Sequence, residues 1–222
     1  MGNNNDNCII SDEIWVNEFN EKSAQNFRSA IKKKSSENPN APIIIYIDSY
    51  GGNVDALAKM IGTMNEVPNS KITVCVGKAM SAGAILLSHG DVRYCEKNSR
   101  IMIHEVSTCT FGNINDVIND TEESKRLNAH FMKLLADNCK IKGGYTGLKK
   151  IFKDRDCRDI FLDAKAAQKF GIIDEIGLPT INSAMLFEIS TAPEHKNPVP
   201  SIKQIISKEK KNKKKKTKKK KK

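Results

Sequence analysis

One serine of the chain stands in a setting that suits nucleophilic chemistry. Residues 77–84 read Gly-Lys-Ala-Met-Ser-Ala-Gly-Ala, which puts Ser81 after a strand-like apolar run and before a helix-like segment. The first turn of a helix has unpaired backbone N–H groups, and such donors can stabilise an oxyanion that forms beside a serine hydroxyl. An ordinary N-cap serine fits the same position, and the segment lacks the Gly-x-Ser-x-Gly turn of the α/β-hydrolases. The octapeptide alone favours the helix cap, so the neighbouring segments must decide.

Two further segments could contribute to a site at Ser81. Gly51 and Gly52 follow an apolar, strand-like run, and glycine lets a backbone amide approach a substrate closely, although a simple strand-to-helix turn is the alternative. His104 also ends a strand-like run. A neutral imidazole there could take the proton of Ser81 as a general base, although a structural histidine is the commoner case.

A carboxylate would have to orient the imidazole and stabilise the imidazolium. The candidates crowd one segment that mixes acidic and basic residues, and they are Asp154, Asp156, Asp159 and Asp163. Spacing alone does not choose among them, and a charged run of this kind is usually a solvated face.

The elements that would position these residues alternate along the chain. Short β-like pieces lie at 8–10 and 13–16, helical spacing appears at 21–34 and 54–67, and continuous apolar runs indicate buried strands at 41–47, 72–76 and 100–104. This alternation predicts βαβ units on a largely parallel sheet, whose ligands gather at the carboxyl ends of the strands. Gly51, Ser81 and His104 each lie at such an end.

The positive charge of the chain is concentrated at its carboxyl end. The net charge is +11 over 222 residues, and residues 203–222 carry thirteen lysines and one glutamate, which leaves −1 for the rest. Such a run repels itself and buries no apolar surface, so we expect a disordered lysine tail at 191–222. It would bind acidic proteins or nucleic acid nonspecifically, or simply remain solvated. The remaining length suits one domain at 13–190 after a short polar segment at 1–12.

Cysteine usage and hydropathy place the protein in the cytoplasm. The six cysteines are scattered without a Cys-x-x-Cys pair, so neither a metal site nor a disulfide framework is expected. No stretch is long and apolar enough to cross a bilayer, and the chain does not begin with the apolar segment of a signal peptide. We therefore expect a cytoplasmic protein with reduced thiols.

Four separated segments together resemble the Clp protease proteolytic subunit (ClpP) family. They read Tyr-Ile-Asp-Ser-Tyr-Gly-Gly at 46–52, the serine octapeptide at 77–84, Asn-Ser-Arg-Ile-Met-Ile-His at 98–104, and Arg-Asp-Ile-Phe-Leu at 158–162. They occur in the family's order with similar spacing, within a resemblance that covers about residues 14–176. The combination is specific although each part alone is not.

The resemblance implies a serine endopeptidase that needs no cofactor. In the matching positions, Ser81 attacks the peptide carbonyl, His104 acts as base and then as acid, and Asp159 orients His104. The backbone amides of Gly52 and Ala82 match the oxyanion donors of the family. The order serine, histidine, aspartate along the chain differs from that of chymotrypsin, subtilisin and the α/β-hydrolases, as geometry rather than order defines a triad.

The resemblance further implies a ClpP/crotonase-like α/β fold of repeated βαβ units with a protruding strand-helix handle at about 106–139. The handle strand, roughly 106–111, would pair with an extended substrate. Ser107, Thr108 and Gly51 would then contact the substrate.

The resemblance also implies an assembly. The handle helix at 114–138 would pack against its counterpart in an opposing ring, and Arg158 matches an arginine that the family uses between rings. Family members form heptameric rings, which stack into a tetradecamer. They receive unfolded polypeptides from an ATP-driven AAA+ unfoldase.

Departures from the family pattern keep other functions open. Tyr50 stands where the family usually has proline, and residues 1–12 are shorter than the usual segment that engages the unfoldase, which leaves that partner in doubt. A divergent, phage-encoded member could be a capsid (prohead) maturation protease. A noncatalytic ring or scaffold subunit tethered by the lysine tail is a second alternative, and an acyl-CoA enzyme of the crotonase fold is a third.

Overall fold

Strands and helices alternate around one mostly parallel sheet in the computed structural model, which describes residues 13–156 and 158–180. The strands are β1 (Ile14–Val16), β2 (Ile43–Ser49), β3 (Lys71–Met80), β4 (Val92–Cys95), β5 (Arg100–Ile103), β6 (Ile160–Asp163) and β7 (Glu175–Ile176). The helices are α1 (Glu21–Glu37), α2 (Val54–Glu66), α3 (Ala82–Ser88), α4 (Ile114–Asn138), α5 (Gly144–Lys153) and α6 (Ala164–Phe170).

The sheet confirms the predicted α/β class. Its order is β1-β2-β3-β4-β7 with every neighbouring pair parallel, and β5 pairs with the far end of β3. Strand β6 is antiparallel to β5. The strand predicted at 8–10 and the tail predicted at 191–222 lie outside the described residues, as does the end of the predicted domain at 181–190.

Strand β2 lies inside the sheet, between β1 and β3. Ile43, Ile45, Ile47 and Ser49 are buried in strict alternation with half-buried residues, the pattern of a strand that is covered well on one face and partly on the other. Helix α3 is buried over all seven of its residues. A helix without a polar face has to lie inside the fold, where neighbouring residues on every side fix the position of its ends.

Strand β3 changes partners along its length, and this change creates the site. Its first half lies between β2 and β4, and its last three residues pair with β5 instead of β4. The register with β2 shifts at the same point, since Ile47 lies opposite Cys75 and Ser49 lies opposite Ala79. Two extra residues of β3 are accommodated there, as in a β-bulge, which re-aims the end of the strand.

The predicted handle helix is present in the structure, but the predicted handle strand is not. Helix α4 spans Ile114–Asn138, whereas residues 104–113 form no strand. A strand requires a ladder of backbone hydrogen bonds with a neighbour. Val106 N–H anchors this backbone by donating a hydrogen bond to Asn128 Oδ1 at 3.0 Å. With no strand beside it in one chain, the segment stays irregular.

An arginine connects the far end of the sheet to the helices. Arg93 on β4 donates hydrogen bonds to the Asp174 carboxylate and to the carbonyl oxygens of Asn138 and Gly171, which end α4 and α6. Bidentate pairing with a carboxylate is a strong, directional contact of arginine. Among residues 13–156 and 158–180, no helix is long and apolar enough to cross a membrane.

Candidate active site

Ser81 occupies a sharp turn between β3 and α3. Its backbone has φ 54° and ψ −119°, a combination that non-glycine residues rarely adopt and that often marks functional positions. Its N–H donates to Met102 O on β5 at 2.8 Å, which fixes the turn against the sheet. Ser81 stands at the N-cap position of α3, yet its side chain makes no capping hydrogen bond. The ordinary cap that the octapeptide favours is therefore wrong, and the hydroxyl is directed elsewhere.

The hydroxyl of Ser81 meets the ring of His104. Ser81 Oγ lies 2.8 Å from His104 Nε2, within the range in which a general base takes a proton. His104 directly follows β5, which pairs with the end of β3. The two parallel strands thus bring residues 23 positions apart in sequence into one contact. The predicted serine–histidine pair is formed.

The predicted third member does not join this contact. The β5–β6 register pairs Ile103 with Ile160, so one further step places Asp159 opposite His104. Asp159 is exposed, and within the described residues its carboxylate makes neither a hydrogen bond nor an ion pair with the His104 ring. Ser107 Oγ lies 3.5 Å from His104 Nδ1, a distance at the outer limit of a hydrogen bond.

Two backbone amides of residues that line the cavity with Ser81 have no hydrogen-bond partner within the described part of the chain. Ala82 is the first residue of α3 and has no intrahelical partner for its N–H. Gly52 follows β2, and its neighbour Asn53 donates to Phe19 O at 2.9 Å while the Gly52 N–H makes no hydrogen bond with any described residue. Both residues line the same cavity as Ser81. Two free donors beside a nucleophile are the arrangement of an oxyanion hole.

Gly51 lies against the turn that carries the nucleophile. It has φ +100°, and a Cβ there would come within 2.7 Å of Ser81 Cβ and 2.8 Å of Met80 O. No side chain fits this position without displacing the turn. Gly51 itself does not line the cavity. The structure therefore shows close packing against the Ser81 turn at this residue, and not the predicted contact with substrate.

The cavity at the site has a volume of about 380 Å³, a size typical of small-molecule and side-chain pockets. Its polar end holds the serine, the histidine and Ser107, and the remainder is mainly apolar. The sequence analysis missed six aliphatic or methionine residues and two aromatic residues of its lining, namely Val54, Leu57, Ile85, Met102, Val106, Met132, Tyr50 and Phe131. The helical spacing of Phe131 and Met132 indicates only that they are buried, because periodicity does not say which cavity a face lines.

Family comparison places this geometry in a known context. Residues 9–179 match the family model of the Clp protease, which is well over half of the chain. The chain belongs to the Clp protease family. Membership supports a peptidase function, the hydrolysis of peptide bonds.

Other predicted positions of this Clp protease family member lie outside the cavity. Thr108 is exposed and does not line it, whereas Ser107 does. Arg158 is exposed and lies 3.7 Å from the Asp156 carboxylate, which leaves it accessible for the predicted contact between subunits. Over the described ranges 13–156 and 158–180, no group of three or more His, Cys, Asp or Glu side chains is placed to hold a metal ion.

Proposed function

We propose that the chain is a serine endopeptidase of the Clp type that cleaves unfolded polypeptides through an acyl-enzyme. The observation that carries the proposal is the 2.8 Å contact between Ser81 Oγ and His104 Nε2, beside two free backbone donors. The match to the Clp protease family supports the same reaction class.

In the first step, Ser81 Oγ attacks the carbonyl carbon of the scissile peptide while His104 Nε2 takes the hydroxyl proton. The carbonyl oxygen becomes an oxyanion that accepts hydrogen bonds from the N–H groups of Gly52 and Ala82. One donor of this kind contributes on the order of 3 kcal/mol to the transition state. The strained backbone of Ser81 holds the hydroxyl in place before the substrate arrives.

In the later steps, His104 returns the proton to the leaving amine and the peptide bond breaks. Water then enters, gives a proton to His104 and attacks the acyl-enzyme, which releases the new carboxyl terminus and regenerates Ser81. Side chains and backbone amides of this chain suffice for both halves of the reaction.

Asp159 is the carboxylate that we propose to orient His104. Directly opposite residues of an antiparallel pair have Cβ atoms about 4.5–5.5 Å apart, and the β5–β6 register leads to this relation between Asp159 and His104. An exposed carboxylate has the rotamer freedom to turn toward Nδ1, and catalytic contacts commonly tighten when substrate binds.

The handle supports assembly into rings. The segment at the start of α4 presents four exposed apolar side chains, Phe111, Ile114, Val117 and Ile118. Three of them repeat at the spacing of one helix face, and a contiguous apolar face of this kind marks an interaction surface. We propose heptameric rings that pack through these handles into a tetradecamer. An AAA+ unfoldase and acidic partners of the lysine tail complete the proposed set of partners.

A fluorophosphonate probe tests the nucleophile. We expect covalent labelling at Ser81 together with cleavage of an unfolded polypeptide, with both lost in Ser81→Ala and strongly reduced in His104→Ala. Ser70→Ala replaces an exposed serine outside the cavity and should label and cleave as the wild type does. A folded protein that is never labelled and never cleaves would favour the noncatalytic scaffold instead.

A further inference from the structure

The cavity beside Ser81 has an aromatic wall that the proposed mechanism does not use. Tyr50 directly follows β2 and lines the cavity together with Ser81 and His104. The residue is 74% exposed, so apolar packing does not hold its ring. The position of the ring must depend on a specific contact.

That contact is the ammonium of Lys78. Lys78 Nζ lies 4.5 Å from the centroid of the Tyr50 ring, within the range of a cation–π interaction. It also donates a hydrogen bond to Asp48 Oδ1 at 2.7 Å. This hydrogen bond raises the pKa of Lys78, so the ammonium stays charged at neutral pH. We call these three residues, Asp48, Lys78 and Tyr50, the brace.

The β-bulge of β3 is what makes the brace possible. Lys78 lies in the stretch where the β2–β3 register shifts, directly opposite the segment that holds Asp48. Gly77 before it has φ +86°, and a Cβ there would lie 3.0 Å from Asp48 Oδ1. Glycine thus leaves room for the carboxylate, and the Gly77 N–H is fixed by donating to Ser99 Oγ at 2.8 Å.

We propose that Tyr50, held by Lys78 and Asp48, is a specificity-determining residue that contacts the substrate side chain next to the scissile bond. This inference rests on the proposed peptidase function. Lys78 covers one face of the ring, so a substrate meets the opposite face or the ring edge. Apolar and aromatic side chains gain most from such a surface, because they remove area from water and fit the preferred ring geometries.

Two matched pairs of fluorogenic peptides test the preference. Each pair differs only in Phe against Ala, on the acyl side of the scissile bond in one pair and on the amine side in the other. We expect the wild type to favour Phe in one pair. Tyr50→Ala should lower kcat/KM for that Phe peptide about tenfold, mainly through KM, and leave its Ala partner within about twofold.

Variants of the brace distinguish the effect of the Tyr50 ring on specificity from the effect of its contact with Lys78. Tyr50→Phe keeps the aromatic ring and should keep the Phe-to-Ala ratio. Lys78→Met should reduce the ratio about three- to fivefold, as expected for loss of an exposed cation–π contact. Lys59→Met is the matched control, because Lys59 is a lysine ion-paired with Glu21 and does not line the cavity, and it should leave the ratio unchanged.

The outcomes distinguish this inference from the function on which it rests. One outcome is that the wild type is labelled at Ser81 and cleaves peptides while Tyr50→Ala lowers kcat/KM equally for all four peptides, or changes kcat alone. In that case Tyr50 has only a structural role and the inference is wrong. If the wild type neither labels nor cleaves, the proposed function fails and the inference fails with it.

Discussion

The backbone at Ser81 holds the nucleophile in a conformation that costs energy. A non-glycine residue in a sparsely populated region costs roughly 1–3 kcal/mol, and such strain persists only where the surroundings impose it. Here the Ser81 N–H is tied to Met102 and the next residue begins a fully buried helix. The surroundings thus keep the hydroxyl directed at His104 instead of at the helix backbone.

Two substitutions identify the group that orients His104. We expect Asp159→Asn to lower kcat at least about 100-fold, because an amide favours the wrong imidazole tautomer and does not stabilise the imidazolium. Ser107→Ala should cost only a few-fold, because its 3.5 Å contact is long for a hydrogen bond. Peptide cleavage under single-turnover conditions measures both. The reverse order of losses would make Ser107 the orienting group.

Gly51 permits a second test of the same turn. Gly51→Ala should abolish labelling of Ser81 while the protein stays folded, because the added methyl group would lie 2.7 Å from Ser81 Cβ at a φ of +100°. Circular dichroism measures whether the protein is folded, and the fluorophosphonate probe measures whether Ser81 is labelled. Gly62→Ala is the control, since a Cβ there meets nothing within 4 Å. It should raise stability by about 0.5–1 kcal/mol, as alanine does within a helix, and leave labelling intact. Labelling of Gly51→Ala at the wild-type rate would contradict the close packing.

Among the elements, β3 does most to build the site. Its bulge turns the last residues toward β5, which brings Ser81 beside His104. The same bulge holds Lys78 against Asp48 and under Tyr50. One irregularity of the sheet therefore sets both the nucleophile and the wall of the cavity.

Helix α4 carries a prediction on assembly. Ile114→Asp and Ile118→Asp put charge on its exposed apolar face, and we expect each to reduce the particle mass from a double ring to a single ring or less. Light scattering after size exclusion measures the mass. Asn119→Asp adds the same charge at an exposed polar position of the helix and should leave the mass unchanged. A wild-type protein that is monomeric at micromolar concentration would contradict the ring proposal.

At the scale of the whole molecule, the Arg93 cluster joins the far strands to the ends of two helices. Hydrogen bonds from Arg93 hold the pKa of the Asp174 carboxyl below its ordinary value of 3.8. A lowered pKa means that the folded state favours the charged carboxylate. The resulting stabilisation is present above the ordinary pKa and is lost as the pH falls through the lowered one.

Thermal unfolding as a function of pH tests this linkage. We expect Asp174→Asn to have a lower Tm than the wild type at pH 6–7 and the difference to shrink below about pH 4, since the wild type then loses the same charge. Asp156→Asn removes an exposed carboxylate that only approaches Arg158 at 3.7 Å and should show little difference at either pH. A Tm gap for Asp174→Asn that stays constant from pH 7 to pH 3 would mean that the ion pair does not stabilise the fold.

Periodicity and short motifs were enough to predict much of the scaffold. The runs at 41–47, 72–76 and 100–104 became parallel strands, and the handle helix was placed at its observed bounds. Burial of apolar side chains at fixed periods is a local property, which explains why it can be read along the chain. The handle strand at 106–111 was predicted wrongly, because pairing depends on a neighbouring strand that a single chain does not supply.

The sequence by itself determined the α/β class through the alternation of its apolar segments, and the resemblance of four of its motifs to a known family indicated that family, with Ser81 and His104 as the candidate pair. Only the tertiary structure decided that the serine hydroxyl meets the histidine instead of capping its helix, that Asp159 stays outside this contact, and that Tyr50 forms a wall of the cavity. These outcomes depend on distances between residues remote in the chain. The register and the bulge of β3 set those distances, and neither leaves a periodic signal in the sequence.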